Sequence, residues 1–366
     1  MKFFLFLSFF TFFIFSCDGN KTETVDMESG ENAAEESDDE NSDNEQVEEI
    51  ETHELIGMYK DSFDGLHIIS NTVWDQGGMV GRFNIEFFDS EQLYIIAQNS
   101  SNNAWNPGKW SRFDYFIKEG KKYFCQTAYN SETMEDAKGT ATAENSNLES
   151  GCNGFNWTEL LEIIEEGVDK DDSKITHWAT GYDSYIVGEG VDESWQTPEK
   201  AVGKASGNST DIVSLGRGGS IVLTFEKAIK NREGADFAVF ENSINETNLE
   251  LGYVEVSSDG KNFVRFDTYY LGVEPVGPYG SHEPSLIWGF AGKFKQGVGT
   301  LFDLEKLSEK PEVVEKTVDL NDIKYVKIVD VIGDGTEFDT LGNPIYDPYP
   351  TTESAGFDLD GVGVIN

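Results

Sequence analysis

Basic residues are scarce in this sequence: 27 Lys and Arg stand against 68 Asp and Glu, for a formal net charge of -41. Phosphate binding depends on Lys and Arg displacing condensed counterions, so such a surface repels nucleic acid and anionic lipid headgroups, and neither is expected as a partner. The same field attracts divalent cations. Histidine is sparser still, with His53, His67, His177 and His282 scattered along the chain and no HExxH, GxSxG or Walker-type spacing around them. The Gly-rich "SLGRGGS" (214–220) precedes a strand pattern rather than a helix, so no helix N-terminus awaits a phosphate. The apolar leader, Phe3 to Ser16, is fourteen residues long, too short for a hydrocarbon core that takes about 20 helical residues. Cysteine occurs three times, so in an oxidising compartment at least one is unpaired or chemically modified.

What is present begins with that leader. One basic residue, Lys2, precedes it, the pattern of a signal peptide over residues 1–16. Ile14-Phe15-Ser16-Cys17 resembles the lipobox of bacterial lipoproteins, apart from the bulk of Phe15. The resemblance implies acylation of Cys17, a membrane partner held through that lipid, and an exported location at the bacterial envelope, on the outer membrane or cell surface. Residues 18 to 54 then hold sixteen Asp or Glu against one Lys and almost no large apolar side chain. They bury too little to offset ordering entropy, and residues 17–54 read as a solvated acidic tether spanning roughly 30 to 36 Å.

From about 55 to 167 the pattern changes. "GRFNIEFF" (81–88), "EQLYIIAQ" (91–98), "SRFDYFIK" (111–118) and "KKYFCQTA" (121–128) are short, aromatic or β-branched, and separated by turn residues, which predicts a β-meander. Asn156, with Glu159 three residues on and Trp157, Leu160, Leu161 and Ile164 behind it, predicts one short helix closing at Gly167. Cys125 and Cys152 fall in this one region, and pairing them leaves Cys17 as the odd cysteine. The alternative is two buried free thiols. "YFCQTAYN" followed by "GCNGFNWTEL" resembles a segment of lipoproteins from environmental bacteria and implies no chemistry.

Residues 175–366 carry stronger strand signals, among them "SIVLTF" (220–225), "DFAVFE" (236–241), "GYVEVS" (252–257), "FVRFDTYY" (263–270), "YVKIVDV" (325–331) and "FDLDGVGVI" (357–365). Without helices between them they predict stacked antiparallel sheets, a β-sandwich. The fold class expected is therefore mainly β. The succession of "VSLGRGGSIVLTF", "GADFAVFEN", "YVEVSSDGKNFVRF", "YVKIVDVIGD" and "FDLDGVGVIN" resembles a module of secreted bacterial cell-surface proteins that often end in a PEP-CTERM sorting tail. More distantly, "VEVSSDG" and the last acidic strand are similar to discoidin-like, galactose-binding jelly rolls. Both resemblances imply a jelly-roll-like fold and a surface location without transferring a ligand.

Two sets of residues are candidates for function. Asp236, Glu241, Asp358 and Asp360 border apolar strands, and calcium takes six to eight hard oxygens, often carboxylates; discoidin-like jelly rolls commonly hold one such ion. A structural calcium on some of these four is one expectation, and carboxylates satisfied by turn amides are the other. Trp195, Tyr279, Trp288 and Phe290 lie in the long segments 189–203 and 273–297, where flat rings suit stacking on a glycan or another planar small molecule. The expected protein is a lipid-anchored surface lipoprotein with a binding or structural module. The alternative is a secreted hydrolase using acidic residues.

Overall fold

Aromatic and β-branched stretches punctuated by Asn, Asp and Gly make strands because they fit a pleated, half-buried surface. In the computed structural model, which describes residues 50–77 and 81–365, regular structure is mainly β. The leader, Cys17 and nearly all of the acidic tether lie outside these residues.

The first eight strands are β1 (Gly57–Lys60), β2 (Leu66–Ile69), β3 (Val73–Asp75), β4 (Arg82–Asp89), β5 (Tyr94–Asn99), β6 (Trp110–Lys118), β7 (Lys121–Ser131) and β8 (Thr158–Glu162). They form a meander that closes into a barrel when β8 pairs with β1. The β6–β7 hairpin turns on Glu119 and Gly120, both with positive φ, the backbone that a two-residue turn requires. Inside, Trp74 stacks on Phe113 at 4.5 Å and donates its indole N–H to Nδ1 of His67 at 3.1 Å. Nε2 of His67 meets Oδ2 of Asp61 at 3.1 Å, so this histidine is a satisfied element of the barrel interior.

Residues 158–162 are a strand, not the expected helix. The edges of β1 and β7 present unpaired amides and carbonyls, and β8 satisfies both, with Phe124 opposite Thr158 and Lys60 opposite Leu161. Leu160 points into the barrel and Leu161 outward, a period of two; the double apolar pairs Leu160-Leu161 and Ile163-Ile164 imitate a helical stripe in sequence. A helix does form, α1 (Met134–Lys138), five residues capped by Oγ1 of Thr133. The expected disulfide joins Cys125 on β7 to Cys152, with Cα atoms 5.6 Å apart, and holds the irregular 139–157 segment against the barrel. There Trp157 packs edge-on to Phe116 at 4.8 Å.

The remaining strands are β9 (Val168–Asp169), β10 (Ile175–Trp178), β11 (Gly181–Ile186), β12 (Val213–Ser214), β13 (Ser220–Ile229), β14 (Phe237–Glu241), β15 (Gly252–Ser257) and β16 (Val264–Arg265). After them come β17 (Tyr269–Tyr270), β18 (Ile287–Trp288), β19 (Val298–Phe302), β20 (Ile323–Asp330), β21 (Asp334–Phe338), β22 (Pro344–Tyr346) and β23 (Asp358–Ile365). One sheet runs β10-β23-β14-β19-β9, with β12 also on β23, and another runs β11-β13-β20-β15-β16. Both feed one hydrophobic core: Leu223, Val254 and Ile328 from the second sheet meet Phe237, Val239 and Leu359 from the first. All eight residues of β23 are buried. Gly363 has no side chain because a Cβ there would meet Ile175 at 2.9 Å and the Trp178 ring at 3.1 Å.

The barrel and this second region share a smaller core in which Met58, Ile68 and Val73 pack with Leu271, Trp288 and Leu341. Nζ of Lys293 donates to Glu165 at 2.7 Å beside it, and Oγ1 of Thr72 donates to Asn343 at 3.1 Å.

The bridge closes a loop of about 28 residues, which in the chain-entropy account stabilises by roughly 3–4 kcal/mol. Replacing Cys125 and Cys152 together by Ser is expected to lower the guanidinium unfolding free energy by that amount. An unchanged midpoint would show that the 139–157 segment is held by packing alone.

Candidate functional site

The register of two strands sets the site. β14 pairs with β23 from Phe237 opposite Val364 to Glu241 opposite Leu359, with a shift in register between Phe240 and Glu241. The shift brings the last residue of β14, Glu241, beside the first residue of β23, Asp358. Three loops rise above this point. The 242–251 loop is folded on itself, Oδ1 of Asn245 accepting the amides of Thr247 and Asn248. It is tied to the 273–286 loop by Nδ2 of Asn248, which donates to the carbonyl of Gly280 at 2.8 Å. The 347–356 loop joins them where the amide of Tyr349 donates to the carbonyl of Val276 at 3.2 Å. Together they enclose a cleft of about 410 Å³, bordered by Glu241, Asn242, Asn248, Glu250, Tyr279 and Asp358 among others.

Its floor is acidic. Glu241 is 1% exposed and Asp358 3% exposed, and Glu250 is half-buried in the wall. Oε2 of Glu241 accepts the amide of Ser243 at 2.8 Å. Oδ2 of Asp358 accepts Nδ2 of Asn242 at 3.1 Å, and the hydroxyls of Ser214, opposite Asp358 in the β12–β23 register, and Ser354 lie beside the same carboxyl, whose Oδ1 is fully buried. None of the ion pairs formed among the described residues includes Glu241, Glu250 or Asp358. Burial therefore pushes all three carboxyls above the ordinary range, and the charge of Asp358 adds to the effect on Glu241 and Glu250.

The four carboxylates expected to share an ion divide. Glu241 and Asp358 come together, but Asp236 accepts the amides of Arg232 at 2.9 Å and Leu304 at 2.8 Å, and Asp360 accepts those of Ser206 and Gly207, each at 2.7 Å. These two are turn-closing side chains. Among the described residues no group of three or more His, Cys, Asp or Glu stands in metal-ligating geometry. The aromatic set divides as well. Trp288, 4% exposed, and Phe290, 0% exposed, are core residues, Trp288 bordering a separate cavity of about 300 Å³ beside β1; Trp195 is half-buried and does not line the cleft. Tyr279 alone stands at the cleft mouth, 95% exposed.

Glu250, Asn242 and Asn248 were not singled out by sequence. The signal for them is the polar run "ENSINETNLE" (241–250) directly after an apolar strand, where an acid at each end and amides between them must be brought together by the turn. The nearby buried pair, Nε2 of His282 and Oδ1 of Asp347 at 2.9 Å, serves the loops instead: Oδ2 of Asp347 accepts the amide of Leu251 at 3.0 Å.

Raised carboxyls tie stability to pH with a definite sign. Between the ordinary carboxylate range and the raised values the folded chain holds more protons than the unfolded chain, so stability falls as pH rises through that window. His53, lowered to about 4 by burial, and His67, also lowered by burial, act oppositely, but only below about 6.5, where unfolded histidine takes up a proton. Calorimetry of the ligand-free protein is therefore expected to give a higher Tm at pH 6.5 than at pH 8. Asp358→Asn should raise Tm at pH 8 by about 1–3 °C and shrink the difference between the two pH values; a lower Tm at pH 8 would mean that the carboxylate is favourably engaged. No protein-family model matches this chain, and no curated protein matches it.

Proposed function

We propose that this chain is a lipid-anchored lipoprotein of the bacterial cell surface, held on its acidic tether, and that its second region is a jelly-roll-like β-sandwich acting as a binding module for a glycan. The anchor reading is supported by the sulfur count: Cys125 and Cys152 are bonded to each other, and Cys17 in the lipobox-like leader is left for acylation. The binding reading is carried by the cleft, whose lining sets the carboxyls of Glu241, Glu250 and Asp358 and the exposed ring of Tyr279 around one space. Hydroxyl-rich ligands need this combination of clustered hydrogen-bonding groups and one flat apolar face.

Hydrolysis is a second reading, favoured by one observation: two carboxyls raised by burial, Glu241 and Asp358, border the same cleft. Glycosidases set acid against base with such a pair.

Radiolabelled fatty acid fed to expressing cells is expected to enter the protein and to be lost in Cys17→Ala; label that persists in the variant removes the anchor. On a glycan array the protein should bind a subset of sugars, and Tyr279→Ala should weaken that binding by at least tenfold. Release of reducing ends from the bound sugar, absent in Glu241→Gln, would turn the binding module into the hydrolase.

A further inference from the structure

An indole ring left in water contributes nothing to a core, so a rigid support that keeps one there calls for a reason outside the core. Trp105, in the turn between β5 and β6, is 70% exposed, and Tyr129 on β7 is 57% exposed. One buried side chain ties their segments together: Nδ2 of Asn99 donates to the carbonyl of Asn106 at 2.8 Å and to that of Tyr129 at 3.1 Å, while its Oδ1 accepts the Ser111 hydroxyl at 2.6 Å. Buried Asn103 pins the other limb of the turn, exchanging two hydrogen bonds with the main chain of Arg82 at 2.8 and 2.9 Å. A support fixed in this way spares a ligand the entropy cost of ordering it. We infer that this part of the barrel is a second binding site, separate from the cleft, for a neutral polysaccharide chain, with Trp105 and Tyr129 as its stacking platform.

Charge decides the class of ligand. The whole chain carries -41, yet residues 98–108, "QNSSNNAWNPG", and 123–131, "YFCQTAYNS", contain no Asp, Glu, Lys or Arg. The charges that follow them, Lys109 and Glu132, form an ion pair with each other. These two segments offer no formal charge to an ionic ligand, and the field around them repels polyanions, acidic polysaccharides included. What they offer beside the rings is hydroxyls and amides, with Ser101, Asn102 and Asn130 all exposed. A pyranose has the matching surface, a C–H face that lies on an aromatic ring and hydroxyls at its edge. A protein partner needs a wider apolar centre, and 98–108 holds no Leu, Ile, Val, Met or Phe to extend the patch. None of the residues bordering the cleft comes from the barrel, so the two sites are distinct, and one polymer that reaches both is held more tightly than by either.

The test is native affinity electrophoresis of the full chain in detergent, in gels containing a soluble β-glucan, a galactomannan or a dextran, with alginate as the acidic control. At least one neutral polymer is expected to retard the protein, and alginate is not. Trp105→Ala and Tyr129→Ala, each with its fold verified by near-ultraviolet circular dichroism, should weaken that retardation by roughly tenfold or more. Loss in Trp105→Ala with retention in Tyr279→Ala upholds the inference whatever the cleft binds. Retardation that survives Trp105→Ala and is lost in Tyr279→Ala puts all binding in the cleft, which overturns the second site and leaves the proposed function standing. No retardation by any neutral polymer overturns the inference, as does stronger retardation by alginate. Sedimentation velocity supplies the remaining outcome: a dimer that Trp105→Ala converts to monomer means that a second copy covers the rings, and it overturns the inference as well.

Discussion

The pairing of β14 with β23 is the constraint on which the second region depends. Both strands are buried throughout, so their main chains cannot turn to water for hydrogen bonds and must find each other. Once they do, the apolar side chains of both enter the shared core, and the carboxylates at their ends arrive in one place with nowhere else to go. Hydrophobic burial and ladder formation thus provide the energy that holds like charges together. The cleft is assembled by the same strands that stabilise the sheet, and its carboxyls lean toward the protonated form because the neighbouring structure leaves them little choice.

Much of the architecture was legible in the residues. The barrel hairpins announced themselves through Glu119-Gly120 and the aromatic runs on either side, and the six strong strand patterns of the second region all became strands, although "FVRFDTYY" divided into β16 and β17. The segment after Asn156 was misread because adjacent apolar pairs satisfy helical and extended spacing equally well. What decided was a demand from far away in sequence, the open edges of β1 and β7, which no local pattern records. The cysteine pairing could be read by count, since the two partners lie in one region and the third at the leader.

The site was half legible for a related reason. An Asp or Glu next to an apolar strand says that a carboxylate is near the core; it does not say whether a backbone amide will reach it. Asp236 and Asp360 were each met by two backbone amides, while Asp358 is met by side chains, Nδ2 of Asn242 with the hydroxyls of Ser214 and Ser354 beside it. Ring residues show the same ambiguity: Trp288 sits in a Gly-rich stretch that reads as a loop, yet Met58 and Ile68 of the barrel cover it. Tyr279 differs from Trp288 by nothing in its local sequence that marks it as exposed. Contacts between regions, absent from any single stretch, separate the two.

The position of β1 has a mechanical consequence. The chain enters the barrel core at Leu55 and pairs from Gly57 onward, and Tyr59 and Lys60 are hydrogen-bonded on both flanks, to β2 and to β8. Tension arriving from the N-terminal side therefore loads these ladders lengthwise, so that several bonds must yield together instead of opening one after another. Met58, on the same strand, packs against Trp288, and a pull strong enough to extract β1 would disturb the contact between barrel and second region before it reached the cleft floor.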